Sequence, residues 1–435
     1  MKKINTAKLS GTTELLPQEQ ALFNNLKNKI DATYKKHGFL DVETPMLERT
    51  EILLAKAGGD TEKQIYKVVK TAETTEEPDQ ALRFDHTVPL ARYIIEHEND
   101  LIFPFKVKNI GINFRGERAQ KGRFREFYQC DIDIIGRNNL PIAYDADVVA
   151  TLLDTFDTFN LNTPVLARIS NRKILTGILE AYNLLEKSKD IYSIVDHSEK
   201  VPPEKTLANF LEIGLSQEDT SRLLDIINTS GSREAVIKKL ASLEIQNETF
   251  KTGVLELDTV LSLLESQGLK DCVLADLKIV RGLDYYTGTV FEFILPEYKS
   301  IGSVCGGGRY ENLTSYFSDQ SFPGVGGSIG LTRLFYVLNE NKLLKSQENP
   351  LLDYAVIPIS ETEFIFATKA AKALRDDNSS VTTIYTDKRL GDKLSYASKV
   401  AKNAIVIGEE ETQTKVLKAK NFATGETTII KPLVV

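Results

Sequence analysis

Phe114-Arg115-Gly116-Glu117-Arg118-Ala119-Gln120-Lys121-Gly122-Arg123-Phe124-Arg125-Glu126-Phe127 is a basic loop set between two strand-like segments, Phe105 to Phe114 and Phe124 to Ile135. Two such runs joined by a polar, glycine-containing turn predict an antiparallel hairpin. Its tip carries Arg118, Lys121 and Arg123. The planar fork of an arginine meets two phosphate oxygens at once and keeps its charge, so a hairpin of this kind can grip phosphates. The same residues also suit a solvated turn, and the loop alone leaves both readings open.

Working outward, Phe39 to Leu47 alternates like a strand and carries Pro45, which an edge or interface strand tolerates and a central one does not. Ala81 to Phe84 and the run from Ile279 through Ile294 add further strands. Helical periodicity appears at Glu19 to Lys36, stopped by His37-Gly38, at Val88 to His97, and at Ala143 to Phe156. The expectation is an α+β fold, a largely antiparallel sheet with flanking helices, over residues 1–170 and 269–338. Between them, 171–268 loses its strand signals and reads as a helical insertion. Residues 339–350 read as a polar linker. Beyond it, Tyr354 to Pro358, Val381 to Thr386 and Ala404 to Gly408 alternate with helical stretches, predicting a small α/β domain with a partly parallel sheet over 351–435.

At 435 residues the chain is long enough for two or three domains. A hydrophobic fraction of 42% and a charged fraction of 26% are those of a globular protein. A net charge of -7 excludes a chain coated in basic surface. Cys130, Cys272 and Cys305 form no CxxC pair, which suits a reducing compartment and excludes a recognisable zinc site. No stretch approaches the roughly 20 apolar residues of a membrane span, and no apolar segment follows the first lysines, so a cytoplasmic location is expected. The four histidines share no ligand spacing.

Two further stretches carry chemistry. Ile279-Val280-Arg281-Gly282-Leu283-Asp284-Tyr285-Tyr286-Thr287-Gly288-Thr289-Val290-Phe291 sets a cation, a carboxylate and two phenols between β-type segments. An arginine withdrawn from water needs an anion, so a strand ending in Arg281 and turning on Gly282 suggests a pocket for a negatively charged ligand. Gly324-Val325-Gly326-Gly327-Ser328-Ile329-Gly330-Leu331-Thr332-Arg333-Leu334 reads as a glycine-rich turn leading into an amphipathic helix.

Taken together and in this order, Pro45, the hairpin Phe114-Arg115-Gly116-Glu117 and the glycine run ending in Arg333 resemble the three motifs of class II aminoacyl-tRNA synthetases. Arg281-Gly282-Leu283-Asp284-Tyr285-Tyr286-Thr287-Gly288 and Cys305-Gly306-Gly307-Gly308-Arg309-Tyr310 resemble the two signatures of the histidyl-tRNA synthetase family. The resemblance covers essentially the whole chain. It implies activation of L-histidine by ATP with Mg²⁺, transfer to tRNA(His), a homodimer with the first motif at its interface, and an anticodon-binding C-terminal domain.

The resemblance also implies roles. Arg115 would hold the ATP α-phosphate, Glu117 and Phe127 the adenine, and Arg123 and Arg333 the outer phosphates. Arg281 would approach the histidine carboxylate and the α-phosphate. Asp85, Thr87 and Gln129 would surround the amino group, with Asp133 and Tyr286 at the imidazole nitrogens and Tyr285 beside them. A carboxylate and a phenol suit an imidazole, which offers one donor and one acceptor at fixed positions. Asp85 and Thr87 equally fit a helix cap. Gln120 fits the tRNA acceptor end or a solvated turn; Lys388 and Arg389, with Lys393, Lys399 and Lys402, fit an anticodon stem-loop or a solvated helix face. Asp85, Asp133 and Thr332 stand where Glu is frequent in the family. An alternative from another class is a histidine-binding regulatory subunit of the enzyme that begins histidine biosynthesis; such relatives generally lack the C-terminal domain.

Overall fold

The computed structural model describes residues 4–55, 62–71, 78–119, 122–280, 286–311, 314–344 and 352–430. They fall into two compact units, a larger one that runs to Leu344 and a smaller one made of 352–430 with Leu15–Leu22.

The larger unit is built on a nine-stranded sheet in the order Leu40–Asp41, Phe105–Phe114, Glu126–Ile135, Gly324–Ile329, Cys305–Tyr310, Tyr286–Ile294, Leu166–Asn171, Val273–Asp276 and Ser230–Gly231. Only the pairings of Leu40–Asp41 with Phe105–Phe114 and of Leu166–Asn171 with Val273–Asp276 are parallel. The hairpin at its heart pairs Phe105 with Ile135 through to Phe114 with Glu126. Helix Ala143–Asp157 buries Val148, Val149, Leu152 and Phe156, and Phe156 stacks on Phe293 of the sheet with ring centroids 5.5 Å apart. Arg309 is bolted to the same helix: it donates to both oxygens of Asp145, at 2.7 to 3.1 Å, and to the carbonyls of Leu140 and Pro141. Both side chains are nearly inaccessible, so losing one partner would cost about 3–5 kcal/mol. Arg309 therefore secures the sheet to the helix.

Three expectations change. The Phe39 to Leu47 run splits: Leu40–Asp41 takes the edge of the main sheet, and Leu47–Arg49 joins a separate three-stranded sheet with Gln80–Leu82 and Lys67–Val68. Pro45 sits between the two pieces, where its missing N–H interrupts no ladder. Ile279 and Val280 belong to no strand; they are buried coil after Val273–Asp276, and Arg281 to Tyr285 lie outside the described residues. The glycine-rich Gly324–Ile329 is a central strand rather than a turn, and it pairs with glycine-rich Cys305–Tyr310, setting Gly327 beside Gly307 and Gly326 beside Gly308.

Between Arg172 and Ser266 every element is helical except the two-residue strand Ser230–Gly231. Helices Arg172–Ala181 and Glu248–Ser266 bury a shared apolar seam that includes Ile174, Ile178, Leu257 and Leu261. Gly177 and Gly253 let their backbones approach, since a Cβ on Gly253 would meet Ile174 N at 2.7 Å. Helix Leu331–Glu340 runs past Leu338, so the polar Asn339 and Glu340 close a helix instead of opening a linker.

In the smaller unit, Leu352–Pro358 is flanked by parallel Val381–Thr383 and Ala401–Ile407, and two antiparallel strands, Leu417–Asn421 and Thr427–Ile430, extend the sheet. Lys393 is buried here, its amine donating to the Pro358 carbonyl at 2.8 Å. It does not belong to the basic face expected for this helix. Lys388 and Arg389 are exposed, and Lys402 pairs with Asp353 at 3.1 Å.

Candidate active site

The main-sheet strands carry the site. On Glu126–Ile135, residues two apart share a face, and Gln129, Asp131 and Asp133 line one small cavity of about 50 Å³ with Asp85, Thr87 and Tyr310. A larger cavity of about 440 Å³ lies beside it, lined by Arg115, Glu117, Arg123, Phe127, Glu292 and Arg333 among others. Arg115, Gln129, Tyr286 and Ser328 line both.

The floor of the small cavity is glycine. A Cβ on Gly326 would overlap Asp133 Oδ1, and one on Gly308 would come within 3.0 Å of the Tyr286 ring. On the other face, a Cβ on Gly327 would meet Leu152 Cδ1 at 2.7 Å. At these glycines neither side of the paired strands has room for a side chain. Glycine is disfavoured in strands, yet here close approach on both faces requires it.

Three carboxylates crowd this cavity. Asp133 accepts from the Tyr310 hydroxyl at 2.8 Å. Burial first, then the neighbouring Asp131 and Asp85, raises its carboxyl to about 7, while Tyr310 opposes the shift. Burial likewise raises Asp85, opposed by a hydrogen bond from Val88 and by the charge of Arg115. Asp85 Oδ1 accepts from Val88 N at 3.0 Å, at the start of helix Thr87–Glu96. Asp85 thus caps this helix and lines the cavity at once, because the helix begins at the cavity wall.

Asp131 joins the wall to its surroundings. Its Oδ1 accepts from Ser328 Oγ and its Oδ2 faces His86 Nδ1 at 3.1 Å. Ser328 Oγ in turn accepts from Gln129 Nε2 at 2.7 Å, and Gln129 Oε1 accepts from Asn113 Nδ2 at 2.9 Å. The alternation along the strand could have singled out Asp131. Ser328 and His86 carry no such signal, the first inside a glycine run and the second in a stretch that reads as a cap.

Where the cavities meet, the Arg115 guanidinium lies over the rings of Phe84 and Phe127, 4.4 and 5.1 Å from their centroids. Its Nε donates to the Phe84 carbonyl at 3.3 Å. Stacking fixes the plane of the cation while leaving its edge for hydrogen bonding. In the larger cavity Arg123 pairs with Glu117 at 3.1 Å. Arg333, in the first turn of helix Leu331–Glu340, donates to the Ile301 carbonyl at 2.6 Å. Thr332 accepts from Tyr128 N at 2.8 Å and ties that helix to the hairpin.

The structure thus brings together Asp85, Thr87, Arg115, Glu117, Arg123, Phe127, Gln129, Asp133, Tyr286 and Arg333 around two adjoining cavities. Gln120, Arg281 and Tyr285 lie outside the described residues. Lys388 and Arg389 belong to the other unit. Among the described residues no group of three His, Cys, Asp or Glu is placed to hold a metal ion.

Residues 11–334 match the family profile of histidyl-tRNA synthetase, and residues 353–432 that of the anticodon binding domain. The histidine–tRNA ligase of Clostridium tetani is 44% identical over 421 residues, 96% of this chain and 94% of that one. That of Clostridium acetobutylicum is 41% identical over 427 residues, covering 98% and 97%. The crystal structure of histidyl-tRNA synthetase from Nostoc sp. PCC 7120 superposes with a TM-score of 0.87 at 36% identity, covering 98% of this chain and 97% of that one. A structure from Bacillus halodurans described as an ATP phosphoribosyltransferase regulatory subunit/histidyl-tRNA synthetase has a TM-score of 0.77 at 22% identity, over 93% and 99% of the two chains, which establishes a common fold alone. Profile, relatives and fold agree over nearly the whole length, and the chain belongs to the histidyl-tRNA synthetase family.

Proposed function

We infer that this protein is a histidine–tRNA ligase: it activates L-histidine with ATP to histidyl-adenylate and pyrophosphate, then transfers histidine to the 3′ end of tRNA(His). The observation that carries this reading is the junction of a small carboxylate-walled cavity with a larger arginine-lined one, shared by Arg115, Gln129, Tyr286 and Ser328. Histidine fits the first, with a cationic amino group and a two-nitrogen ring, and a nucleoside triphosphate fits the second.

In the first step a histidine carboxylate oxygen attacks the α-phosphorus and pyrophosphate leaves. Two anions must approach each other, so cations held at the junction lower the barrier. Arg115 is placed for this by its stacking, and we assign Arg281 the same task. Glu117 and Phe127 would hold the adenine, and Arg123 and Arg333 the outer phosphates. Asp85, Thr87 and Gln129 would take the amino group, Asp133 and Tyr286 the imidazole, with Tyr285 in support. ATP enters as its Mg²⁺ complex; among the described residues Glu117 and Glu292 are the only carboxylates lining the larger cavity, a donor set that suits a metal carried by the phosphates. In the second step the terminal ribose hydroxyl of tRNA attacks the acyl carbon and AMP leaves. No protein nucleophile is required.

We further propose a homodimer joined at the first motif, where Leu40, Met46 and Leu47 are exposed. Residues 171–268 would act as an insertion domain, 351–435 would bind the anticodon through Lys388 and Arg389, and Gln120 would meet the acceptor end. Among the described residues no helix is long and apolar enough to cross a membrane, in keeping with the cytoplasmic location we propose. The regulatory-subunit reading accounts less well for the match of 353–432 to an anticodon binding domain and for Arg115 and Arg333 in one cavity. Histidine-dependent exchange of labelled pyrophosphate into ATP tests the ligase reading directly. Well-folded protein with no exchange would sink it.

A further inference from the structure

His86 touches neither cavity, yet it anchors the hydrogen-bond chain that ends at one of their shared walls. It is 1% exposed, and its Nδ1 lies 3.1 Å from Asp131 Oδ2. Asp131 accepts at both oxygens, so the imidazole must donate from Nδ1. Its Nε2 is buried without a hydrogen-bond partner. That atom points toward Gly111, where a Cβ would lie 3.3 Å from it and overlap Arg83 Nη2. Arg83 is itself buried and donates to the carbonyls of Ile112 and Thr44. With a guanidinium close by, a lone pair on Nε2 is favoured over a second ring proton, which again leaves the proton on Nδ1.

From His86 the donor directions follow one after another. With Oδ2 of Asp131 held by the imidazole, Oδ1 takes the Ser328 hydroxyl proton. Ser328 Oγ can then only accept, so the neighbouring group of Gln129 must be its amide nitrogen, at 2.7 Å. The Gln129 oxygen is thereby turned away from Ser328 and toward Asn113 Nδ2, with a second lone pair remaining. A flipped amide would set oxygen against oxygen at Ser328 and nitrogen against nitrogen at Asn113.

We propose that His86 is a positioning residue: through Asp131 and Ser328 it fixes the amide of Gln129 with its oxygen available to the amino group of histidine. The inference rests on the ligase reading and adds to it the residue that sets the polarity of the amino-group site. Its effect belongs to the substrate's amino group and to neither the imidazole nor ATP.

The test is pyrophosphate exchange with separate titrations of histidine and ATP, together with calorimetric binding of imidazole propionate, which lacks the amino group. For His86→Leu the KM for histidine is expected to rise about tenfold, the energetic equivalent of one hydrogen bond to a charged group, with KM for ATP and binding of imidazole propionate within twofold of the parent. His86→Asn, which can present an amide N–H where Nδ1 stood, should restore most of the loss. Ser328→Ala breaks the same chain at another link, so the double variant should lose little more than either single one. Equal losses for histidine and imidazole propionate, or fully additive effects in the double variant, would overturn the proposal while leaving the ligase reading intact. If His86→Leu does not fold, His86→Asn and Ser328→Ala still decide it: a normal KM for histidine in Ser328→Ala would overturn it. Absence of exchange in the parent protein would overturn the ligase reading and this inference with it.

Discussion

The small cavity beside Asp133 and the larger one beside Arg123 differ in sign as well as in size. The first, about 50 Å³, is walled by Asp85, Asp131 and Asp133 over a glycine floor. The second, about 440 Å³, presents Arg115, Arg123 and Arg333. A small enclosed volume with fixed donors and acceptors discriminates between amino acids, because a wrong side chain leaves buried polar groups unpaired. A larger cationic volume attracts charge and tolerates movement of the phosphates. Under the proposed function, selection and reactivity would fall to neighbouring places that share a single stacked arginine.

Filling the small cavity should separate the two most sharply. Gly326→Ala puts a methyl group onto Asp133 Oδ1, and exchange is expected to fall by more than about 100-fold, while calorimetry still detects ATP. Loss of ATP binding as well would mean that the two cavities are not independent. Removing the shared cation comes next. Arg115→Ala should lower the exchange kcat by roughly 100-fold, the usual cost of one electrostatic donor at a reacting centre, and a change confined to KM for histidine would assign Arg115 to the small cavity alone.

The acidity of the wall gives a smaller, thermodynamic contrast. Burial pushes the Asp133 carboxyl up to about 7 in the folded protein, from an ordinary 3.8, so between these pH values the folded state holds the extra proton. The stability this gives is complete at low pH and is lost as pH rises through 7. Between pH 6 and pH 8 it amounts to roughly 1 kcal/mol. Denaturant titrations should show that loss in the parent protein and not in Asp133→Asn; equal slopes would detach the titration from this residue. Least affected should be the Lys388→Ala, Arg389→Ala double variant, with exchange unchanged and tRNA charging reduced a few-fold at moderate salt. A drop in exchange would break the assignment of activation to the two cavities.

The hairpin was readable because its two strands alternate and its loop is charged, whereas Gln129 and Asp133 were pointed to by the family resemblance. Ser328 and the strand Cys305–Tyr310 were not readable. Glycine counts against a strand in any local reading, and only close approach from both faces makes it the residue that fits. Lys393 looked like a surface lysine because its neighbours Lys388, Arg389 and Lys399 are basic; its burial depends on a carbonyl, Pro358 O, that lies 35 positions earlier. His86 looked like part of a helix cap, and its partner Asp131 is 45 positions away. What the sequence concealed were contacts between distant residues, and these include the links that orient the site.

Glycines 326 and 327 leave the bottom of the small cavity made of main chain. A wall can drift by substitution, one side chain at a time, but a floor of peptide groups offers selection nothing to exchange. A lineage that came to accept a different amino acid would therefore have to rebuild the cavity from its sides, at Asp133, Tyr310, Thr87 or Gln129, with its depth fixed from the outset.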